Sequence, residues 1–360
     1  MAPGPARLGA IGVSVPHDWN GYTNGRPTDM QMTGAVFING GSKIMMEKET
    51  VAGGKPTRPK KKFDRHRADA IQAYSFLAPA FLVILVFFIA AFVFALYMSF
   101  NKVNMYNNQY TFRGLQNYAE IFKDNIALTA LKNTSLFSLV VVPCQTVLAL
   151  IIAYALSSKG IRFKKLFRLI YFLPTLTSSA ALTLIFMFIF NVNGPVNGFL
   201  TGAGWLTKPI NFLQEPQYAL KVIMVMNIWS TVPNFMTVYL ASLVDLPDSL
   251  YEAAEMDGAN AWQKLRSITI PYLRPITTYV LLMGIIGTFQ MFDQAYIFSN
   301  GSGGPDNSTL TVALMVYQYA FGQMNTMGYA CALALFLAVV IYVVARLAEK
   351  LNGGNGLANN

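Results

Sequence analysis

Residues 252–271 read EAAEMDGANAWQKLRSITIP, and their types and spacing suit docking rather than bond-making. Glu252, Ala253 and Ala254 open the stretch. Gly258 follows after three residues, and Ile268, Ile270 and Pro271 follow after nine more. Upstream, Pro247 precedes Asp248 and Ser249, both residue types that cap helix N-termini. Leu250, Ala253, Ala254 and, less strictly, Met256 form an apolar patch on a short helix, flanked by Glu252, Glu255 and Asp257. Gly258 permits a turn that a side chain would resist. Asn260 caps a second short helix, on which Trp262, Leu265 and Ile268 recur at roughly helical spacing until Pro271 closes it. Two amphipathic helices joined at a glycine make a knob that fits a groove in a partner. The rival reading is a loop lying on lipid headgroups.

Other chemistries find few candidates. The only histidines, His17 and His66, lie near the N-terminus, which excludes imidazole chemistry in the apolar segments. Cys144 and Cys331 fall within apolar segments, read as small packing residues, with no zinc or disulfide spacing. No GxxxxGK[ST] phosphate loop is present, so this chain does not hydrolyse ATP itself. Polar groups do recur inside the apolar segments. Asn227, Trp229, Ser230, Thr231 and Asn234 surround Pro233. Thr288, Gln290 and Asp293 form a second set, and Thr175, Thr177, Ser178 and Ser179 after Pro174 a third. A hydroxyl-rich solute needs such donors and acceptors, plus a flat apolar face such as Trp229. The bland alternative is that Ser and Thr bond their own helix backbone while Asn and Gln bridge helices. Asp293, near a helix end, reads as an interfacial charge.

These residues need elements to hold them. Of 360 residues, 54% are hydrophobic and only 12% charged, about half the charged share of a soluble domain. Six stretches lack charge altogether: 70–101, 133–158, 169–207, 222–244, 275–292 and 307–345. Each approaches the ~20 residues that span the hydrocarbon. Lipid cannot satisfy free backbone groups, so they must be helices. The expected fold class is an all-α integral membrane protein with six transmembrane helices, at about 74–100, 134–157, 168–190, 219–243, 275–298 and 325–346.

The net charge of +10 does not indicate nucleic acid, because its distribution follows the segments. Fifteen basic residues lie at 60–67 just before the first helix, between helices two and three, in the 245–274 loop and after the last helix. Six lie in or beside the opposite loops. That places both termini and the docking loop in the cytoplasm. Residues 1–72 read as a disordered basic tail. Its first 44 residues are either an extension ahead of a start at Met45 or Met46, or a true cytoplasmic tail. Helix one and an outer loop fill 73–133, a five-helix core fills 134–347, and a cytoplasmic tail fills 348–360. In the outer loops, FRGLQNYAEIF (112–122) and VALMVYQYAF (312–321) suggest short surface or re-entrant helices, and SNGSGGPDNST reads as loop.

The 252–271 pattern resembles the EAA motif of ATP-binding-cassette importer permeases. Further likeness to the carbohydrate-uptake branch, of the maltose- and glycerol-phosphate-permease type, lies in IYFLPTLTSSAALTLIFMFIFN (170–191) and MNIWSTVPNFMTVYLASLVDLPDSLYEAAEMDGA (226–259). It continues in FQMFDQAYIFSNGSGGPDNST (289–309) and MGYACALALFLAVVIYVVARL (327–347). The resemblance covers about 70–350 and implies a type I importer permease fold. It implies a second homologous permease, two ATPase subunits, an outer sugar-binding protein, and residence in the bacterial cytoplasmic membrane. No enzymatic activity or cofactor of this chain's own is implied. Glu252, Ala253, Ala254, Asp257, Gly258, Ile268 and Pro271 would then meet the ATPase. Asn227, Thr231, Asn234, Gly284, Thr288, Met291, Thr175 and Ser179 occupy places that line the sugar pocket in the maltose type, beside Trp229 and Gln290. Thr288 and Met291 depart from that type, where amides are expected.

A proton-coupled transporter would place ionisable groups deep in the bundle, and the middle of all six segments lacks them. A membrane enzyme would need clustered His, Asp, Glu or Cys. A scaffold without transport would leave the complete motif loop unexplained.

Overall fold

The computed structural model describes residues 62–104, 109–157, 164–322 and 326–353. The chain divides into two units, 1–66 and 67–360. Only residues 62–66 of the first unit are described, so the expectations for residues 1–44 lie outside the described residues. Apart from those first residues of the first helix, the helices and the hairpin all belong to the second unit.

α1 (Lys62–Ile84) passes through a π-helical stretch, Leu85–Ala90, into α2 (Ala91–Ser99). The helix starts earlier than the expected 74 and reaches into the segment read as a disordered tail. Helix-favouring residues such as Ala68, Ala70 and Gln72 continue the pattern past the hydrocarbon edge. A short antiparallel hairpin comes next, β1 (Asn101–Asn104) and β2 (Gln109–Phe112), pairing Asn101 with Phe112 and Asn104 with Gln109. It is a small exception to an otherwise helical chain. The polar residues between Lys102 and Thr111 gave no run long enough to mark a strand. α3 (Gln116–Ile121) is the expected outer-loop helix, shorter than 112–122.

The long helices come next. α4 (Asn125–Ser157) is followed by α5 (Lys164–Leu176) and α6 (Ser179–Ile189). The single third span expected over 168–190 is bent by 106° between Leu176 and Ser179. Ser178 is extended there and caps α6, its hydroxyl accepting from the Ala181 amide at 3.2 Å. That cap replaces the helical bonds a straight span would need. α7 (Pro195–Gly202), with Pro195 in its first turn, builds order into a loop that the sequence marks only with turn residues. α8 (Pro216–Val244) is the fourth segment.

The 245–274 loop holds α9 (Asp248–Met256), α10 (Ala261–Lys264), a π-helical stretch (Leu265–Thr269) and α11 (Ile270–Tyr272). α12 (Arg274–Phe289) and α13 (Asp293–Ser299) make the fifth segment, interrupted at 290–292. α14 (Val312–Tyr317) continues as a π-helix to Gly322, and α15 (Met327–Leu351) is last. α15 runs past the expected boundary at 347.

By length and apolarity four described helical spans can cross a membrane: Asp69–Ser99, Asn125–Ser157, Arg274–Ser299 and Met327–Leu351. The bent α5–α6 pair makes a fifth if it is one span. The sixth expected segment is α8. At 29 residues it is long enough, but the polar set around Pro233 makes it less apolar than the others.

α4 packs along α8 and α12, and α12 packs along α15. On α4, Ala130, Phe137, Val141, Ala149 and Ala153 are fully buried. Across from them lie Ile223, Met226, Met236 and Tyr239 of α8. Small alanines let the two backbones approach closely, the usual means of packing helices in lipid. From Asp69 on, α1 stays almost wholly uncovered, while α2 rests on α15. Gly328 permits that contact, because a Cβ there would collide with the Asn101 carbonyl.

The SNGSGGPDNST segment is tightly held rather than loose. Asn133 of α4 donates to the carbonyls of Asn307 and Leu310, at 2.7 and 3.0 Å. The Val312 amide donates to the Thr134 hydroxyl at 3.1 Å. Thr309 and Thr311 are fully buried.

Candidate functional site: a docking knob and a polar cleft

The 245–274 loop folds as the two-helix knob its sequence implies. α9 begins at Asp248, with Pro247 rather than Asp248 or Ser249 in the capping position. Its last turn closes through three backbone bonds. Asp257 N–H donates to Ala253 O, Gly258 N–H to Glu255 O and Ala259 N–H to Ala254 O, at 2.9–3.1 Å. Gly258 has φ +76°, a left-handed conformation that costs glycine little and other residues more. Asn260 then caps α10 reciprocally. Its side chain accepts from the Gln263 amide at 2.9 Å, and the Gln263 side chain accepts from the Asn260 amide at 2.8 Å.

Two contacts tie the halves together. Lys264 Nζ lies 2.8 Å from Glu255 Oε1, and the Tyr251 hydroxyl lies 2.7 Å from that of Thr269. Sequence reasoning passed over Tyr251, Gln263 and Thr269, which carry no helix-face signal. Pro271 does not end the second helix as expected. The helical run carries on through it to Tyr272.

The knob's apolar surface has no cover. Leu250 is 46% exposed, Trp262 65% and Met256 89%. Glu252, Ala253, Asp257, Gly258 and Pro271 are exposed, while Ala254 and Ile268 are half-buried.

The polar residues of the helices separate into groups. Ser179 (α6), Asn227 (α8), and Gln290, Met291, Asp293 and Gln294 from the α12–α13 break line a cleft of about 230 Å³. Interrupted backbone inside a membrane protein is tolerated beside a cavity, and here it borders one. Asn227 Nδ2 donates to Gln294 Oε1 at 3.0 Å, while Asn227 Oδ1 has no partner although the residue is 92% buried. Gln294 was not among the expected residues. Its place in the sequence, next to Asp293 at a helix end, gave no sign of its reach across to α8.

Thr231, Gly284 and Thr288 belong to a seam between α4, α8 and α12 instead. The Thr231 hydroxyl lies 2.7 Å from Gln145 Oε1. The Thr288 hydroxyl lies 2.8 Å from both Ser138 Oγ and the Gly284 carbonyl. A Cβ on Gly284 would strike the Gln145 amide. Trp229 is half-exposed, packs on Phe186 at 5.6 Å and borders an apolar groove of about 600 Å³ with Pro174 and Pro233. The Thr175 hydroxyl bonds back to the Phe172 carbonyl at 2.8 Å, and Asn234 is exposed. Of the ten expected solute contacts, the cleft therefore collects Ser179, Asn227, Gln290 and Met291. Among the described residues no group of three or more His, Cys, Asp or Glu side chains could hold a metal.

The described chain thus combines spans long and apolar enough to cross a membrane with an interrupted-helix polar cleft and an uncovered two-helix knob. Residues 145–353 match the model of the binding-protein-dependent transport system inner membrane component, and the chain belongs to that family. It is 33% identical over 280 residues to the lactose transport system permease protein LacF of Rhizobium radiobacter, covering 77% of this chain and 92% of that one. It is 33% identical to the arabinooligosaccharides transport system permease protein AraP of Bacillus subtilis, over 78% of this chain and 88% of that one. A bacterial alginate ABC transporter, solved in complex with an alginate pentasaccharide-bound periplasmic protein, shares the fold. Its TM-score is 0.68 at 21% identity, over 83% of this chain and 99% of that one. The chain is thus a membrane permease subunit of an ABC importer, not an enzyme.

Proposed function

We propose that this permease carries a sugar or related polyol, forms half of the translocation pathway and couples to ATP hydrolysis through the 245–274 loop. The reading implies a second homologous permease, two cytoplasmic ATPase subunits that bind ATP and Mg, and an extracytoplasmic sugar-binding protein. It places the chain in a bacterial cytoplasmic membrane with both termini inside. The carrying observation is the knob: two capped, cross-tied helices present Leu250, Met256 and Trp262 to solvent. A protein does not order an apolar surface of this kind without a partner to bury it. Named sugar permeases among the relatives support the cargo class.

Gly258 offers the test. Its Cβ direction meets nothing within 4 Å, so this chain leaves room there and only φ resists a side chain. Gly258→Ala should cost little beyond backbone strain of about 1–2 kcal/mol. Gly258→Trp should in addition collide with the ATPase, leaving its hydrolysis unresponsive to the loaded binding protein and abolishing uptake. Normal uptake by Gly258→Trp would refute the coupling role.

A further inference from the structure

The knob hands its chain to α12 through a short junction. Leu273, fully buried, lies between the helical run that ends at Tyr272 and α12, which begins at Arg274. Leu273 bonds to both sides: its N–H donates to Thr269 O at 3.0 Å, and its carbonyl accepts from Thr277 N–H at 2.8 Å. Pro271 and Pro275 flank it, and neither has an N–H to carry the helical ladder across. Proline gaps of this kind are where a helical chain bends. The junction is also the covalent path from the knob to the α12–α13 break.

Side chains from two other helices grip the first turn of α12. The Tyr239 hydroxyl of α8 donates to Thr277 Oγ1 at 3.1 Å. From α15, Asn352 at the C-cap donates through Nδ2 to the Thr278 hydroxyl at 2.9 Å and to the Arg274 carbonyl at 3.3 Å. The Thr278 hydroxyl donates to the same carbonyl at 3.0 Å. A carbonyl only accepts, so it fixes which end of the Asn352 amide faces it. α15 delivers this residue by running on through Arg346, Glu349 and Lys350. Charged residues place that last part of the helix outside the hydrocarbon, where it adds nothing to the span. Its contact with the base of α12 is what the extra length provides.

We propose that Asn352 is a positioning residue for energy coupling. It ties the end of α15 to the first turn of α12 beside the junction, so the two packed helices answer the knob as one body. Without that brace the knob's motion is taken up as bending at 271–275. The proposal rests on the coupling role read from the knob and goes beyond it, because it assigns transmission to the far end of α15.

The test reads motion at the other end of α12 and needs no cargo. In the assembled complex carrying Cys144→Ser and Cys331→Ala, Gly287→Cys places a thiol at the cleft, where a Cβ meets nothing within 4 Å. Its reaction rate with a small hydrophilic methanethiosulfonate is measured with and without a non-hydrolysable ATP analogue. The nucleotide should change the rate about ten-fold in this parent, as expected when one conformation replaces another. Asn352→Leu keeps the size, removes the donors and should reduce the change to about two-fold or less. Thr278→Val removes the clasp from the side of α12 and should do the same. The double variant should be no worse than either single one, since both delete one contact. The ATPase should co-purify with every variant, because the exposed surface of the knob is untouched. An undiminished nucleotide effect in Asn352→Leu would overturn the proposal, and so would additive losses in the double variant. Loss of the ATPase from the variants would make Asn352 a folding residue and overturn it too. Failure of the coupling reading looks different: the parent itself would show no nucleotide effect with its ATPase bound, and the proposal would fall with it.

Discussion

Asn227 is 92% buried beside the cleft, and its Nδ2 donates to Gln294 Oε1 while its Oδ1 has no partner. Asn234, one of the same expected set, is exposed, and its side chain makes no hydrogen bond to the described residues. Helical spacing put both on roughly one face, but Pro233 and the neighbouring helices gave them different surroundings. Asn227→Leu should therefore lower uptake roughly ten-fold in the reconstituted complex, the kinetic equivalent of one lost buried hydrogen bond. Stimulation of the ATPase by the binding protein should survive, because the knob is untouched. Asn234→Leu should change uptake less than two- to three-fold, an effect of the size expected for a surface change. Parallel assays of uptake and stimulated hydrolysis separate the two roles, and loss of both in Asn227→Leu would show a folding defect instead.

Among the elements, the knob depends on its caps. α10, the π-helical stretch and α11 make one helical run from Ala261 to Tyr272, a length that is marginal by itself. The Asn260–Gln263 box and the Tyr251–Thr269 contact supply what length does not. Asn260→Ala should cost about 1 kcal/mol locally. Amide exchange over 261–264 should then quicken about five-fold, while the core amides of α4 and α8 stay protected. The same variant should weaken coupling less than Gly258→Trp, because the cap orders the docking surface without occupying it. Unchanged exchange at 261–264 would mean that the Lys264–Glu255 and Tyr251–Thr269 ties suffice.

For the whole molecule, orientation is the property to check. The basic residues cluster in the tail before α1, the α4–α5 connection, the 245–274 loop and beyond α15, which predicts that these share one side. The structure puts the hairpin, α3 and the 299–311 segment together at the opposite ends of α4 and α15. Tyr329 at the start of α15 donates to Asp124 at 3.0 Å, and Asn133 holds Asn307. With Cys144 and Cys331 replaced, a membrane-impermeant thiol reagent applied to intact cells should label Ser302→Cys and leave Gly353→Cys unlabelled until the membrane is opened. The reverse pattern would invert the topology and put the knob on the wrong side for ATP.

Composition and period carried much of this protein in the sequence alone. Long charge-free runs can only be helices in lipid, and the bias of Lys and Arg sets their direction. The knob was also legible, because a glycine turn and an Asn cap are local backbone requirements that residue type states directly. Three things were decided only by packing. The third span bends by 106° where Ser178 caps α6, and a lone serine does not announce which competing bond it will take. The polar residues read as one solute pocket split into a cleft and a seam, since Thr231 and Thr288 reach Gln145 and Ser138 on α4. Gln294 entered the cleft although nothing in its local sequence marks it, because the partner that makes it functional, Asn227, is 67 residues away along the chain. A residue type fixes which bonds a side chain can make. Which of them forms is settled by what the other helices bring within about 3 Å of it.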